Sequence, residues 1–321
     1  MIFKTLPKNG ASWLSPLLYS LEFEEREEQV EVEIYDLLSS VQLGRIRLYN
    51  LSSAEVDIAP YIRSCKLNQP LAPQSDIIGP SADACRVVLR VKGEVSEPRL
   101  LFRGDISGRS TQVLSTIVEN GSVAVGEVIR FTLLARQSIN LVLTRPSEGG
   151  IETYSCRTDG VPCEVAVPIN VAEEGENILI RVTCDDEYLG VFRYRVVARD
   201  KSAVTLVWVN TAGGVECCTF NQSVKRTLSV KSEDVECECG WYRRVLSATV
   251  VRRLIMGGAL QEEMNRVLGL LLSPRVFRCD GWESVAVQLL TETIKYDEHG
   301  RLSRLEFDIN EEWKGGIYDC A

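Results

Sequence analysis

Hydrophobic and polar positions alternate with period two along much of this chain. Val30, Val32 and Ile34 share one face of an extended segment, with Glu31 and Glu33 on the other, which is the mark of a half-buried strand. Arg45–Tyr49 and Ala54–Pro60 repeat the alternation, the second stopping at a proline that cannot donate to a central ladder. Residues 66–84 hold three prolines and no clear period, which predicts a long ordered loop. Strands over Cys85–Val95 and Arg99–Ile106 follow. The acidic run Glu22–Glu28, interrupted by Phe23 and Arg26, predicts a solvated hairpin tip.

Between about residues 110 and 199 the pattern predicts seven short strands: Val113–Glu119, Glu127–Ala135, Ile139–Thr144, Glu152–Cys156, Cys163–Pro168, Asn177–Cys184 and Tyr188–Val197. Asn120-Gly121, Gly149-Gly150, Asp159-Gly160 and Glu174-Gly175 punctuate them. Strands this short and this regularly spaced fit an immunoglobulin-like sandwich, and Val125–Leu133 looks like the second strand of a bacterial module of that kind. Such a module is a spacer or binding platform more often than a catalyst.

Beyond residue 201 the pattern changes. A strand over Val204–Asn210 turns at Asn210–Gly214 and returns as Val215–Phe220. Two more β segments follow, Lys225–Ser232 and a longer one beginning near Val245. Leu260, Met264, Val267, Leu268 and Leu271 then recur at helical spacing, predicting a helix over 259–272 that Ser273-Pro274 ends. A strand over Arg275–Cys279 precedes a closing hairpin of Ser284–Tyr296 and Arg301–Glu311 across residues 297–300. The expected architecture is mainly β: an N-terminal sandwich domain (1–107), an immunoglobulin-like sandwich (108–200) and an α+β domain (201–321) with one central helix between hairpins.

Composition narrows the chemistry. A length of 321 residues suggests two or three domains. The net charge of -9 disfavours phosphate backbones, so no nucleic-acid partner is expected. The single histidine, His299, falls in the predicted turn of the closing hairpin, which argues against histidine-dependent catalysis. No export-type apolar run opens the chain and none approaches the roughly 18 residues of a membrane span. Folding in a cytosol without membrane insertion is expected, and the 11 cysteines read as reduced, mostly buried thiols.

Cys217, Cys218, Cys237 and Cys239 form the nearest approach to a zinc set, but Cys217 and Cys218 are adjacent on a strand and point to opposite faces. Asp185-Asp186-Glu187 lacks the spaced ligands of a calcium loop and reads as an exposed strand connection. Nucleotide-loop and metalloprotease motifs are missing, and no two carboxylates are placed across a cleft by sequence. Neither cofactor nor metal nor catalysis is expected. Arg243, Arg244, Arg252 and Arg253 form a basic cluster that suits an acidic partner subunit or a solvated face. Trp208, Trp241, Trp282 and Trp313 suit a core or subunit contacts better than a sugar-stacking platform.

Leu206-Val-Trp-Val-Asn-Thr-Ala-Gly-Gly214, Phe220, Leu270-Leu-Leu-Ser-Pro-Arg-Val-Phe277, Val285-Ala-Val-Gln-Leu-Leu-Thr-Glu292 and Gly300-Arg-Leu-Ser-Arg-Leu-Glu-Phe-Asp-Ile309 occur in this order. Together they resemble tail-associated virion proteins of phages and prophages of gut Bacteroidetes, as does Val56-Asp-Ile-Ala-Pro-Tyr-Ile-Arg63. The hairpin–helix–hairpin order is similar to the distal-tail and tail-tube fold. The resemblance implies a virion structural protein, a tail or baseplate subunit that forms rings with its own copies and meets other tail proteins, with a host receptor left open. The closing hairpin would offer the unpaired sheet edge. The candidate assembly contacts are Trp208, Trp282, Arg252, Arg253 and Trp313. The alternative is a glycan-binding surface protein built on the same sandwiches.

Overall fold

A computed structural model describes residues 1–67, 77–119, 121–145, 150–170, 174–198, 203–220, 222–237, 240–259, 266–273, 275–280, 283–293 and 303–312. It is mainly β, with four sheets. The first segment supplies β1 (Ile2–Thr5), β2 (Ala11–Ser12), β3 (Leu18–Asp36), β4 (Val41–Asp57), helix α1 (Ala59–Lys66), β5 (Ile78–Pro80), β6 (Cys85–Val91), β7 (Glu94–Val95) and β8 (Arg99–Phe102). Its sheet runs β1-β3-β6-β8-β2, with β4 on the other side of β3 and β7 on β6. Inward residues of β3 and β6 build a core with Trp13, Ile58 and Ile62.

Three expectations are corrected here. Glu22–Glu28 is no hairpin tip: it lies within β3, where the register against β4 slips between Glu22 and Glu27, and the turn comes later, at residues 37–40. Pro60 does not close a strand; it sits in the first turn of α1, where its missing N–H costs nothing. Asp57 braces this entry, its Oδ1 accepting from Ala59 N at 3.0 Å and from Leu17 N at 2.8 Å. The expected long loop yields a strand at its end, and β5 pairs with a strand of the second segment instead of the first sheet.

The second segment forms β9 (Gln112–Val113), β10 (Gly121–Ala124), β11 (Val128–Leu134), β12 (Ser138–Arg145), β13 (Gly150–Arg157), β14 (Cys163–Pro168), β15 (Asn177–Cys184) and β16 (Glu187–Val197). Six of the seven expected strands are present within a few residues of their predicted bounds. The seventh, Val113–Glu119, overlaps β9 only at Val113. Sheets β10-β16-β15-β12-β13 and β5-β14-β11-β9 face each other as a sandwich. Phe131 of one stacks on Phe192 of the other, centroids 4.2 Å apart.

The third segment forms β17 (Val204–Val209), β18 (Val215–Phe220), β19 (Gln222–Cys237), β20 (Gly240–Ala259), β21 (Val276–Asp280), β22 (Glu283–Leu289) and β23 (Ser303–Glu312), in one sheet ordered β18-β17-β21-β22-β23-β20-β19. Two expectations change. Residue 259 ends β20 instead of opening a helix, residues 260–265 lie outside the described residues, and 266–272 make one short helical stretch that tightens into a 3₁₀ turn. The closing hairpin is not the sheet edge. β22 pairs with β21 and β23, and β23 lies between β22 and β20, so the edges are β18 and β19.

β11, β17 and β18 are buried along their whole length. β18 packs over β11, so the sheet containing β11 has the sandwich core on one face and the C-terminal sheet on the other. Burial on both faces accounts for near-continuous apolar runs such as Val204-Thr-Leu-Val-Trp-Val209, where a one-sided sheet would alternate.

Candidate assembly surfaces

The three segments meet at a polar junction assembled from turns. Asn210 follows β17, and its side chain organises the turn to β18. Its Oδ1 accepts from Ala212 N at 3.0 Å and Gly214 N at 2.9 Å, while Nδ2 donates to Leu114 O at 2.9 Å and to Glu216 Oε1 at 2.8 Å. Gly213 has φ +87°, and a Cβ on Gly214 would collide with the Leu114 carbonyl. The tryptophan–asparagine–glycine–glycine pattern is therefore a docking turn. It locks the third segment onto the second.

Buried side chains complete the junction. Glu127 accepts from Thr205 Oγ1 and Thr219 Oγ1, both at 2.5 Å. Glu216 accepts from Thr116 N at 2.7 Å. Arg130 holds Glu164 at 2.8 Å with both side chains buried. Asp83 pairs with Arg103 at 3.5 Å and with Arg275 at 3.3 Å, joining the first segment to the third. Burial pushes the Glu164 carboxyl up, partly offset by the Arg130 guanidinium, and burial likewise raises Glu216. These carboxylates are occupied by fixed donors. They tie layers together.

Asp185 acts at a second tie. Asp185 and Asp186 take φ values of 50° and 64°, forming the two-residue connection between β15 and β16. The Asp185 carboxylate accepts from Thr111 Oγ1 at 2.5 Å and from the amides of Arg136, Gln137 and Ser138 at 2.8, 2.7 and 2.9 Å. Burial raises its pKa, but these four bonds outweigh that and hold it down to about 2. The sequence located the connection and missed this role. An aspartate followed by another at a strand break is the signal that was there.

The cysteines are split as strand geometry requires. Cys217 joins the apolar cluster between sheets, with Val207 and Phe277, and Cys218 joins the opposite core, with Trp208 and Phe220. Burial pushes the thiols of Cys163, Cys184 and Cys279 up to about 12, so they stay neutral and poorly nucleophilic. Among the described residues no group of three or more His, Cys, Asp or Glu side chains is placed to hold a metal ion. Cys239 lies outside the described residues, as does His299.

The expected assembly contacts fare differently. Trp208 is fully buried in the core beneath the C-terminal sheet, so it has no surface to offer a neighbour. Arg252 is also buried and meets Glu311 at 3.2 Å, a carboxylate that Arg278 also reaches at 3.2 Å. Arg253 is half exposed and forms a two-pronged pair with Asp308 at 2.8 and 2.9 Å. Both arginines therefore serve first to bind β20 to β23. Trp282 and Trp313 lie outside the described residues. Arg243, Arg244 and Trp241 lie on β20.

The exposed ladder is elsewhere. β19 pairs with β20 from Gln222 to Cys237, but among the described residues β23 flanks β20 only from Thr249 to Ala259. The pairs from Val230 to Cys237 thus form a two-stranded ribbon beyond the sheet. Thr227, Leu228 and Val230–Asp234 are exposed, so both faces of β19 meet solvent, with Leu228 51% and Val230 47% accessible.

No protein-family model and no curated protein sequence matches this chain. Among solved structures it is similar to the FN1-FN3 domains of chicken CNTN1, at 7% identity and a TM-score of 0.21, covering 88% of this chain and 93% of that one. It is also similar to Dpr2 Ig1-Ig2 in complex with DIP-Theta Ig1-Ig3, at 7% identity and a TM-score of 0.19, covering 99% and 91%. Scores this low carry no argument, and the sandwich description rests on the sheets themselves.

Proposed function

We propose that this chain is a non-catalytic structural subunit of a phage tail or baseplate that assembles through the outer edge of its C-terminal sheet. In this reading the paired sheets of residues 108–200 are an immunoglobulin-like spacer, residues 1–107 are a further β platform, and residues 201–321 are the assembly domain. The observation that carries it is the β19 ribbon. A two-stranded ribbon with both faces in water is marginal by itself. A neighbouring strand supplies the missing ladder and covers Leu228 and Val230, and ring closure then leaves no β19 edge open. The sequence patterns at 206–214, 270–277 and 300–309 support the virion setting.

The test has two parts. Sedimentation velocity over a concentration series is expected to show oligomers larger than a dimer, visible as rings by negative-stain microscopy, and Leu228→Asp with Val230→Asp is expected to abolish them. Mass spectrometry of purified particles is expected to find the chain. A monomer at every concentration, or oligomers indifferent to both substitutions, would refute the assembly edge.

A further inference from the structure

We infer that β4 is a self-complementary edge through which two copies of this chain pair about a two-fold axis. β4 lies against β3 and, among the described residues, has no strand on its other side. Arg45, Arg47, Tyr49, Ser53 and Glu55 are exposed along it, while Ile46, Leu48 and Val56 turn to the core. The alternation breaks at residues 50–52, where Asn50 takes φ 53° and Leu51 faces inward, and it resumes in phase at Ser53. The solvent face is therefore basic in its first half (Arg45, Arg47) and acidic in its second at Glu55, with the irregular stretch at its centre and the half-buried Asp57, whose Oδ1 is held by the Leu17 and Ala59 amides, at its end.

An antiparallel pair of such strands, with the axis at Leu51, sets Arg47 opposite Glu55 of the second copy, a charge pair that occurs twice, with Arg45 in register with Asp57. Tyr49, 58% accessible, lies opposite Ser53. A slip of two residues breaks the Arg47–Glu55 pair: one way Arg45 meets Glu55 while Arg47 faces Ser53, the other way Arg47 meets Asp57 while Glu55 faces Tyr49, and a parallel pairing sets arginine against arginine, which is destabilising. The ladder forms as two blocks, 45–49 against 53–57, and the break falls on the axis. Arg45 already meets Glu31 at 3.3 Å and Glu33 at 3.0 Å, and Arg47 meets Glu31 at 3.4 Å. Glu55 faces Ser20 on β3 and has no ion pair among the described residues. Pairing gives that carboxylate its cation and places each arginine between acidic neighbours, at a strand spacing of about 4.8 Å.

The inference goes beyond the assembly reading and needs neither β19 nor a virion. It is therefore tested on the full chain both as the native sequence and with Leu228→Asp and Val230→Asp, which remove the other edge. Sedimentation equilibrium is expected to show a dimer in that background. Arg47→Glu or Glu55→Arg alone is expected to weaken it about tenfold or more. The double variant exchanges the charges of each pair and is expected to restore it, with unchanged circular dichroism throughout. A monomer in the Leu228/Val230 background, or a double variant as weak as the singles, would overturn the proposal. Failure of the β19 reading looks different: large oligomers persist with Leu228 and Val230 substituted while the charge exchange still behaves as described.

Discussion

β11 and β19 are strands of one chain under opposite conditions. Every residue of β11 is buried, and its two polar interior side chains are served by neighbours: Arg130 by Glu164, and Thr132 Oγ1 by the Val215 amide at 2.9 Å. Among the described residues β19 has no neighbour on its outer side, and it leaves Leu228 and Val230 in water. The comparison separates two uses of sheet surface. In the stacked layers, the enclosed Arg130 and Thr132 side chains each meet a partner from another strand. In the ribbon, Leu228 and Val230 are left uncovered, which is where the proposed assembly edge lies.

The largest expected effect is at the stacked end. Phe131→Ala empties the contact with Phe192 and is expected to cost about 3–5 kcal/mol, read from urea midpoints at unchanged slope. Arg130→Met strands Glu164 and is expected to cost about 3 kcal/mol, whereas Arg130→Met with Glu164→Leu recovers most of it; no recovery would mean the pair is not the enclosed unit described. Asp185→Asn weakens four hydrogen bonds to a carboxylate, at about 1–2 kcal/mol near neutral pH.

The pH dependence has a sign. Asp185 is held below its ordinary value of 3.8, so its contribution is present above that value and fades as pH falls toward about 2. The difference in stability between the native chain and Asp185→Asn should therefore shrink over that window. Glu164 and Glu216 act oppositely. Their raised pKa lets the folded state keep protons that the unfolded chain releases, so their contribution declines as pH rises above the ordinary carboxylate value of 4.5. At the ribbon end, Leu228→Asp is expected to change the stability of the isolated chain by less than about 0.5 kcal/mol while removing its higher oligomers. A large loss of monomer stability would show that β19 is already covered within the chain.

Much of the second segment was legible because each strand there reports its own burial. Val128–Leu134 and Cys163–Pro168 carry dense apolar runs, and Asn177–Cys184 alternates. The docking turn was legible as a turn, through Asn210 and the glycines after it. Its partners Leu114 and Glu216 were not, because one is 96 residues away in the chain and the other looks like any strand carboxylate. Helix α1 was missed because Pro60 marks both the end of a strand and the first turn of a helix, and what distinguishes them here is the bond from the Ala59 amide to Asp57, which a strand would not make.

The sequence by itself determined which stretches extend, where most of them turn and which side chains seek burial, since period, glycine and proline act within a few residues. Tertiary structure alone decided that β5 crosses to another sheet, that the closing hairpin lies inside its sheet and that Trp208, Arg252 and Arg253 serve their own chain. Those outcomes depend on which distant strand wins a ladder, and that competition is settled by packing across the whole molecule.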